Sequence, residues 1–191
     1  RDEFRKLSPE LNSLYLAIQC TYIQRIIDNV SKDELKQQLD SIIKKFNELS
    51  IEEMYEILKL RVNIFVVEQK CPYEELDGKD DKCIHLFYKE NDEIAAYLRI
   101  IPKGLSFDSV SIGRVCVKQE YRKQKLGRKI MEEAINYTEN TLKEYKITVG
   151  AQEYLKDFYA SFDFEKTSET YLEDDIPHLD MKREKLCNED K

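Results

Sequence analysis

A basic loop that leads into a helix is the most informative chemical feature of this sequence. Residues 110–118 form an apolar, β-branched run typical of a strand, and an amphipathic helix is predicted from residue 126 onward. The first turn of a helix has unpaired backbone N–H groups and the positive end of the helix dipole. This order of elements can bind a phosphate group, but loose phosphate-loop patterns are common, so the spacing alone favours a solvated basic turn. The loop and helix start supply four cations: Arg122, Lys123, Lys125 and Arg128.

The same segment resembles motif A of the GNAT N-acetyltransferases, whose loop has the pattern Arg/Gln-x-x-Gly-x-Gly/Ala. Arg122 and Gly127 fit this pattern, while Lys125 stands at the position of its middle glycine. Five further stretches resemble the ElaA-like branch of that superfamily, in the same order along the chain. They read FVVEQKCPYEELDGKD, AYLRI, IGRVCV, GAQEYLKDFY and EDDIPHLDM. The resemblance extends over about residues 43–184.

The resemblance implies a fold, a ligand and a reaction. The implied fold class is α/β (α+β), with a GNAT-type mixed, mostly antiparallel twisted sheet flanked by helices. The implied co-substrate is acetyl-CoA, and the implied reaction moves the acetyl group directly to a primary amine of a small molecule or peptide. No metal is expected, because the sequence has no C-x-x-C pair and no evident fourth ligand to accompany Cys71, Cys83 and His85. The residues expected to bind the cofactor are Val115, Val117, Arg122, Lys123, Gln124, Lys125, Leu126, Gly127, Arg128 and Gln152.

Tyr159 is the predicted general acid for this reaction. It lies in FYASFDF, which resembles the family element FYxxxGF, whose tyrosine protonates the departing thiolate in many members. A phenol has a pKa of about 10 and a thiol one of about 8.5, so the phenol can deliver this proton. A tyrosine that only covers the core is the alternative. Asp163 replaces the family glycine, and we expect it to end the helix in a left-handed conformation.

The general base is less clearly marked in the sequence. The candidates are Glu68, His85, Glu173 and His178, with Glu68 and His85 taken as the predicted catalytic residues. Each histidine could instead be a hydrogen-bonded structural residue, and Glu68 could be a surface acid. Deprotonation through water remains a further alternative.

Two arginines interrupt apolar strands. Arg99 and Arg114 are expected either to enter a cleft or to pair with an acid, because an unpaired buried charge is costly. Gly113 predicts a bulge or a close backbone approach beside Arg114. The acidic stretch 74–81 is either a cation-attracting wall of the acceptor entrance or a solvated loop. It would supply the acids for these arginines, such as Asp77 and Asp80.

The overall charge and composition narrow the class of protein. A formal net charge of -7 and a pI near 5.1 argue against general binding of nucleic acid or membrane surfaces, and would weakly attract a cationic amine. No apolar run approaches the roughly 20 residues of a membrane span, and the first residues lack the apolar stretch of a signal peptide. The odd number of cysteines, five, predicts free thiols in a reducing compartment, and hence a cytoplasmic protein.

The chain is predicted to have two parts, an N-terminal helical extension at 1–41 and a GNAT domain at 42–191. The extension begins with a helix start at Ser8 and Pro9, and its apolar residues recur at helical spacing. It is expected to be ordered, and either packs on the domain or mediates dimerisation or partner binding, which leaves a homodimer open. A non-catalytic acyl-CoA-binding module that acts through this extension is the alternative function.

The remaining elements follow from local signals. Ser50 and Glu53 form a capping-box pattern that opens a helix ending near residue 62, followed by a loop at 65–81. Asn91 and Asp92 are expected to form a hairpin turn. Helices are predicted at 126–143 and 152–162, and strands at 43–48, 84–89, 94–101, 109–118, 146–151, 165–172 and 178–184.

Overall fold

A computed structural model of the protein describes residues 40–90 and 93–185. Residues 1–39, which hold nearly all of the predicted extension, and the predicted turn at 91–92 lie outside the described residues. The helices are α1 (Ile51–Arg61), α2 (Leu126–Asn140) and α3 (Lys156–Ala160). The strands are β1 (Asp40–Lys45), β2 (Ile84–Glu90), β3 (Glu93–Ile101), β4 (Val110–Val117), β5 (Lys146–Gln152), β6 (Glu165–Lys166), β7 (Tyr171–Glu173) and β8 (Ile176–Glu184).

The eight strands form one mixed sheet. Its order is β1-β2-β3-β4-β5-β8-β6, and β7 also pairs with β8. Only β4 and β5 run parallel among these described strands, and every other pair is antiparallel. The predicted mixed, mostly antiparallel sheet flanked by helices is therefore confirmed. None of the described helices is both long and apolar enough to cross a membrane.

The parallel pair β4–β5 is joined over a short length only. Val110 pairs with Ile147 and Ser111 with Thr148, although both strands continue for several residues beyond these pairs. The rest of each facing edge therefore has no strand partner here. Unpaired strand edges present backbone N–H and C=O groups to whatever lies between them.

A bulge bends β4 where this separation begins. Tyr97 of β3 faces Cys116, yet Arg99 faces Gly113, so β4 carries one extra residue between these pairs. Arg114 adopts a left-handed backbone with φ of 56°, which is uncommon for a residue with a side chain. The bulge predicted beside Gly113 is confirmed. The bulge bends the end of β4 and shifts its pairing with β3 by one residue.

Local capping fixes the start of α1. The Glu53 N–H donates to the Ser50 Oγ at 3.1 Å, and the Ser50 N–H donates to the Glu53 carboxylate at 2.9 Å, which confirms the capping box. The prediction that a loop begins at residue 65 is wrong, because a π-helical segment (Val62–Glu68) continues from α1. Burial of Ile64 in the core provides a tertiary contact that holds this segment against the sheet.

Both faces of the sheet are covered by apolar side chains. One core lies between the sheet and α2 and includes Ile130, Met131, Ile147 and Val149. A second, smaller core lies under α1 and is formed by Ile57, Leu60, Ile64, Phe87, Ile94, Tyr97 and Cys116. The parting edges of β4 and β5 thus sit between two packed layers, so the backbone that borders them is firmly held.

Candidate active site

A cleft of about 880 Å³ opens where β4 and β5 part. Six predicted site residues line it and so lie together: Glu68, Val115, Val117, Arg122, Gln152 and Tyr159. The end of the π-helical segment, the loop that follows it and the hairpin between β7 and β8 complete its wall. The cleft is large enough for a small ligand or for the arm of a larger one.

A smaller cleft of about 350 Å³ lies at the N-terminus of α2. Arg122 and Val117 line both clefts, so the two are contiguous. Gln124, which was predicted to contribute, lines neither cleft. The smaller cleft is bordered by Val117, Tyr121, Arg122, Lys123, Lys125, Leu126, Gly127, Arg128 and Phe158.

The loop backbone is shaped to leave N–H groups at this end of α2. Lys123 and Lys125 adopt left-handed conformations with φ of 68° and 60°, and Lys125 is the N-cap residue. This conformation explains why a glycine suits the position in the family pattern, and a lysine there is strained. The N–H groups of Leu126 and Gly127 have no acceptor within residues 40–90 and 93–185. They are available to an anion.

Two of the four cations predicted for this site are already engaged. The guanidinium of Arg122 donates to both carboxylate oxygens of Glu68 at 2.6 and 2.7 Å and, through Nε, to the Val117 carbonyl at 3.1 Å. Arg128 donates to the Ser161 hydroxyl at 2.7 Å and lies 4.7 Å from the centre of the Phe162 ring. The side chains of Lys123 and Lys125 have no partner in the described part of the chain. These two lysines are the free cations of the loop.

Tyr159, the predicted general acid, is buried at the border of the larger cleft. Its ring is buried and packs edge-on against Phe158 and Phe164, with ring centres 5.2 and 6.1 Å away. Burial raises the pKa of Tyr159 above its ordinary value of about 10. Its hydroxyl has no hydrogen-bond partner among the described residues, and the residue borders the larger cleft. The phenol thus keeps its proton and has it free to donate.

The structure does not bring His85 to this cleft, which corrects its predicted role as a base. The ring is fully buried, with Nδ1 2.9 Å from the Tyr97 hydroxyl and Nε2 3.0 Å from the Asp80 carbonyl. Burial lowers the pKa of His85, so the imidazole is neutral and both nitrogens are committed. His85 is a structural residue of the sheet.

Glu68 lies in the cleft wall, but its environment is unfavourable for a base. The hydrogen bonds and positive charge of Arg122 lower the pKa of Glu68 despite a small opposing effect of burial. A carboxylate held in a two-point ion pair is less ready to take a proton. We therefore interpret Glu68 as the partner of Arg122 rather than as a base.

His178 is the better-placed base candidate. It lines the cleft and faces Gln152 across the β5–β8 pair, and its ring stacks on that of Tyr171 with centres 6.2 Å apart. Its Nδ1 lies 2.8 Å from the carbonyl of Ile176. A carbonyl only accepts, so Nδ1 carries a hydrogen and Nε2 of the neutral ring has a free lone pair. Glu173, the remaining sequence candidate, also lines the cleft.

Arg99 and Arg114 take the ion-paired alternative and also line the cleft. Arg99 Nη1 lies 2.8 Å from both Asp77 Oδ1 and Asp80 Oδ1. Arg114 Nε lies 2.8 Å from Glu75 Oε1, and its guanidinium is 5.5 Å from the centre of the Tyr73 ring. Burial opposes ionisation of Asp77, but Arg99 outweighs it and lowers the Asp77 pKa to about 2.

Arg61 completes this network and was missed in the sequence. It is fully buried, with Nε 2.8 Å from Glu75 Oε1 and Nη1 2.9 Å from Asp80 Oδ1. The signal was available, because Arg61 lies four residues after Ile57 on the core-facing side of α1. Three arginines thus neutralise Glu75, Asp77 and Asp80. Most of the acidic stretch 74–81 is therefore neither a free cation-binding wall nor a solvated loop.

The described cysteines and histidines do not form a metal site. In the ranges 40–90 and 93–185, no group of three or more His, Cys, Asp and Glu side chains is arranged to hold a metal ion. The Sγ atoms of Cys71 and Cys83 lie 3.4 and 3.1 Å from the carbonyls of Asp174 and Lys79. Both cysteines and Cys116 are free thiols.

Comparison with known proteins identifies relatives over most of the chain. The profile of the acetyltransferase (GNAT) domain matches residues 45–185. A UPF0039 protein of Schizosaccharomyces pombe is 43% identical over 148 residues, which cover 76% of this chain and 97% of that protein. Protein ElaA of Escherichia coli is 39% identical over 140 residues, which cover 72% and 92%.

The comparison with solved structures finds similar proteins. An acyl-CoA N-acyltransferase from Pseudomonas aeruginosa has a TM-score of 0.73 at 38% identity, and the alignment covers 76% of this chain and 99% of that one. The crystal structure of Escherichia coli ElaA has a TM-score of 0.71 at 37% identity, with 77% and 100% covered.

Proposed function

The chain belongs to the GNAT acetyltransferase family, and we propose that it transfers an acetyl group from acetyl-CoA directly to a primary amine. The Pseudomonas aeruginosa neighbour is described as an acyl-CoA N-acyltransferase, which supports the class of reaction. The observation that carries the proposal is the pair of contiguous clefts. One holds the buried Tyr159, and the other holds the open N-terminus of α2.

The residues present fit the parts of a coenzyme A molecule. The free N–H groups of Leu126 and Gly127, with Lys123 and Lys125, suit a pyrophosphate. The edge of β4 that faces β5 has no strand partner at Val115 and Val117 and would hydrogen-bond the amides of the pantetheine arm, although the Val117 carbonyl already accepts from Arg122 Nε. This arm connects the phosphate end to the larger cleft, where the thioester would lie beside Tyr159.

The protein has little chemistry to supply, because a thioester is already activated. The cleft holds the amine against the acetyl carbon, and proximity provides much of the rate. His178 Nε2, directly or through water, accepts the proton that the amine loses. Tyr159 donates its proton to the departing thiolate sulfur. No cysteine intermediate is required.

The placement of the pyrophosphate is tested at Gly127. A Cβ there would lie 3.6 Å from Val117 and 4.0 Å from Phe158, which are ordinary contacts, so alanine should be accommodated. Gly127→Val adds an isopropyl group, two methyl groups more than alanine, at the mouth of the helix and should weaken CoA binding by at least about tenfold. Titration calorimetry measures the Kd, with Gly127→Ala as the matched control. An unchanged Kd in a folded Gly127→Val protein would contradict the placement of the pyrophosphate at the N-terminus of α2.

A second binding prediction concerns the Glu68–Arg122 pair. Glu68→Gln removes a negative charge beside a polyanionic ligand and releases Arg122, so CoA should bind about two- to fivefold more tightly at low salt. Arg122→Gln should weaken CoA binding for the converse reason. Both Kd values are measured by calorimetry at two salt concentrations. If Glu68→Gln instead abolishes turnover without a change in Kd, Glu68 is a base after all.

Release of free thiol from acetyl-CoA in the presence of primary amines tests the function itself. Amine-dependent release establishes the transferase. Tight CoA binding without turnover on any amine would favour the alternative, a non-catalytic module that acts through residues 1–41.

We place the enzyme in the cytoplasm on the grounds that Cys71, Cys83 and Cys116 are free.

A further inference from the structure

Three carboxylates of the larger cleft lack a cationic partner. Glu74, Glu173 and Asp174 line the cleft, are exposed, and form no ion pair within the described residues. Glu74 comes from the loop after the π-helical segment, and the other two come from the hairpin between β7 and β8. The Cys71 thiol, 3.4 Å from the Asp174 carbonyl, joins these two walls. The acids therefore come from two walls of the cleft that are in contact at Cys71.

The cations of the same cleft are already neutralised, with one exception. Arg99, Arg114 and Arg122 each bind at least one carboxylate, as described above. Lys79 is the exception, because its Nζ donates to the Ser106 hydroxyl at 3.0 Å. The lining of the cleft thus has three carboxylates without a cationic partner and one lysine without an anionic partner. The potential in this part of the cleft is negative, and an anionic acceptor would find no free arginine.

The floor of the cleft carries a separate sign of a polar ligand. Ser111 is 1% exposed and lines the cleft, and its Oγ is without a hydrogen-bond partner in the described part of the chain. The Nε of Arg99, which is 2% exposed, is likewise unpartnered. Buried polar groups are nearly always paired, and the Ser111 hydroxyl can accept a hydrogen bond from a ligand N–H, whereas Arg99 Nε can only donate and gives no sign of a cation.

The sheet is also open to a ligand next to Ser111. On the neighbouring strand, Gly150 is exposed and has no side chain to cover the floor. A Cβ there would lie 3.5 Å from the Tyr171 hydroxyl and 4.0 Å from Phe107, so a larger residue would begin to fill this space. The floor therefore offers polar groups and room, while the walls offer negative charge.

We propose that the acceptor is a small amine that carries a second positive charge, held by Glu74, Glu173 and Asp174. This proposal rests on the proposed function and names its substrate class. The reacting amine must lose its proton to attack the thioester, so it leaves these carboxylates unneutralised. A second ammonium or guanidinium group on the same molecule remains charged and pairs with them.

The hairpin provides a matched pair of variants. Asp174 and Asp175 form its two-residue turn, with φ of 49° and 62°, and only Asp174 lines the cleft. Asparagine adopts this left-handed conformation as readily as aspartate, so Asp174→Asn and Asp175→Asn both preserve the turn. Glu173→Gln removes the neighbouring wall charge. The variants compared are therefore E173Q/D174N and, as the control, D175N.

The experiment compares acetylation of diaminobutane, butylamine and aminobutanoate, which differ only in a terminal cationic, neutral or anionic group. We expect kcat/KM for diaminobutane to exceed that for butylamine by at least about tenfold, with aminobutanoate poorest. E173Q/D174N should reduce the diamine-to-butylamine ratio about tenfold, and added salt should also reduce it. D175N should keep the wild-type ratio.

Two results would overturn the proposal: a butylamine or aminobutanoate kcat/KM equal to that of the diamine, or an unchanged ratio in E173Q/D174N. If CoA binds but no amine is acetylated, the proposed function fails separately. Calorimetric binding of diaminobutane to the CoA-loaded protein then decides the charge proposal. Binding that weakens in E173Q/D174N supports it, and no binding overturns it.

Discussion

Tyr159→Phe is expected to lower kcat about 10- to 1000-fold, the range of a general acid, while the Kd for CoA changes less than about twofold. The substitution keeps the ring that packs against Phe158 and Phe164. It removes a hydroxyl that has no partner in the described residues, so no protein hydrogen bond is lost. The loss should therefore appear in the chemical step, measured by single-turnover thiol release.

Two further measurements separate an acid from a packing residue. The effect of Tyr159→Phe should shrink with a thioester whose leaving thiol is more acidic, because that thiolate needs less protonation. Since burial raises the pKa of Tyr159, wild-type kcat should show no loss attributable to this group as the pH approaches 10. Tyr137→Phe, on α2 and packed against the same core, is the control. Normal turnover of Tyr159→Phe would assign the proton to water or another group.

Features with local causes could be predicted from the sequence. The α1 capping box depends on Ser50 and Glu53 alone, so the start of the helix was placed correctly. The left-handed conformation expected at Asp163 is confirmed, with φ of 64°. The extents of β2, β3, β4 and β5 agree with the predicted strands to within one residue, because their apolar runs are long and bounded by polar residues.

Features decided by tertiary contacts could not be placed in the same way. The first strand is Asp40–Lys45 rather than 43–48, because its pairing with β2 fixes the register. The predicted strand at 165–172 is two short strands, each paired separately with β8. The predicted helix at 152–162 is shorter, at Lys156–Ala160, with a 3₁₀ turn before it. Short apolar runs do not distinguish these outcomes by periodicity.

The residues of the candidate site also divide into those that motifs predict and those that depend on tertiary contacts. Motif resemblance placed Tyr159 and most of the basic loop beside the clefts, because a motif carries tertiary information in its spacing. His85 looked equally suited to chemistry, but the direction in which its strand presents it decides against that role. The state of Arg99 and Arg114 required the partner loop, which lies about 20 or more residues away from them in sequence. Charge pairing across such a distance leaves no local pattern.

That pairing makes Glu75 central to the stability of the fold. Glu75 is 3% exposed and binds both the fully buried Arg61 and the partly exposed Arg114. Its second oxygen lies 3.0 Å from Arg61 Nη2, so the contact with Arg61 has two points. This carboxylate holds α1, the loop at 69–79 and the bulged strand β4 to one another. A buried pair is strongly destabilised when one partner loses its charge, because the other charge stays buried.

Glu75→Gln should therefore reduce the free energy of unfolding by about 3 kcal/mol. Arg61 retains Asp80 as a partner, which keeps the loss at the lower end of the range for a broken buried pair. The glutamine amide also turns an N–H₂ donor toward a guanidinium that has only donors, so one contact becomes repulsive. For a chain of this size the expected fall in Tm is roughly 6–12 °C.

Glu74→Gln is the control for this prediction. Glu74 lies one residue earlier, is exposed and has no ion pair among the described residues, so its substitution should change the free energy of unfolding by less than about 0.5 kcal/mol. Equal stability of the two variants in urea titrations would show that the arginines are held by Asp77 and Asp80 alone.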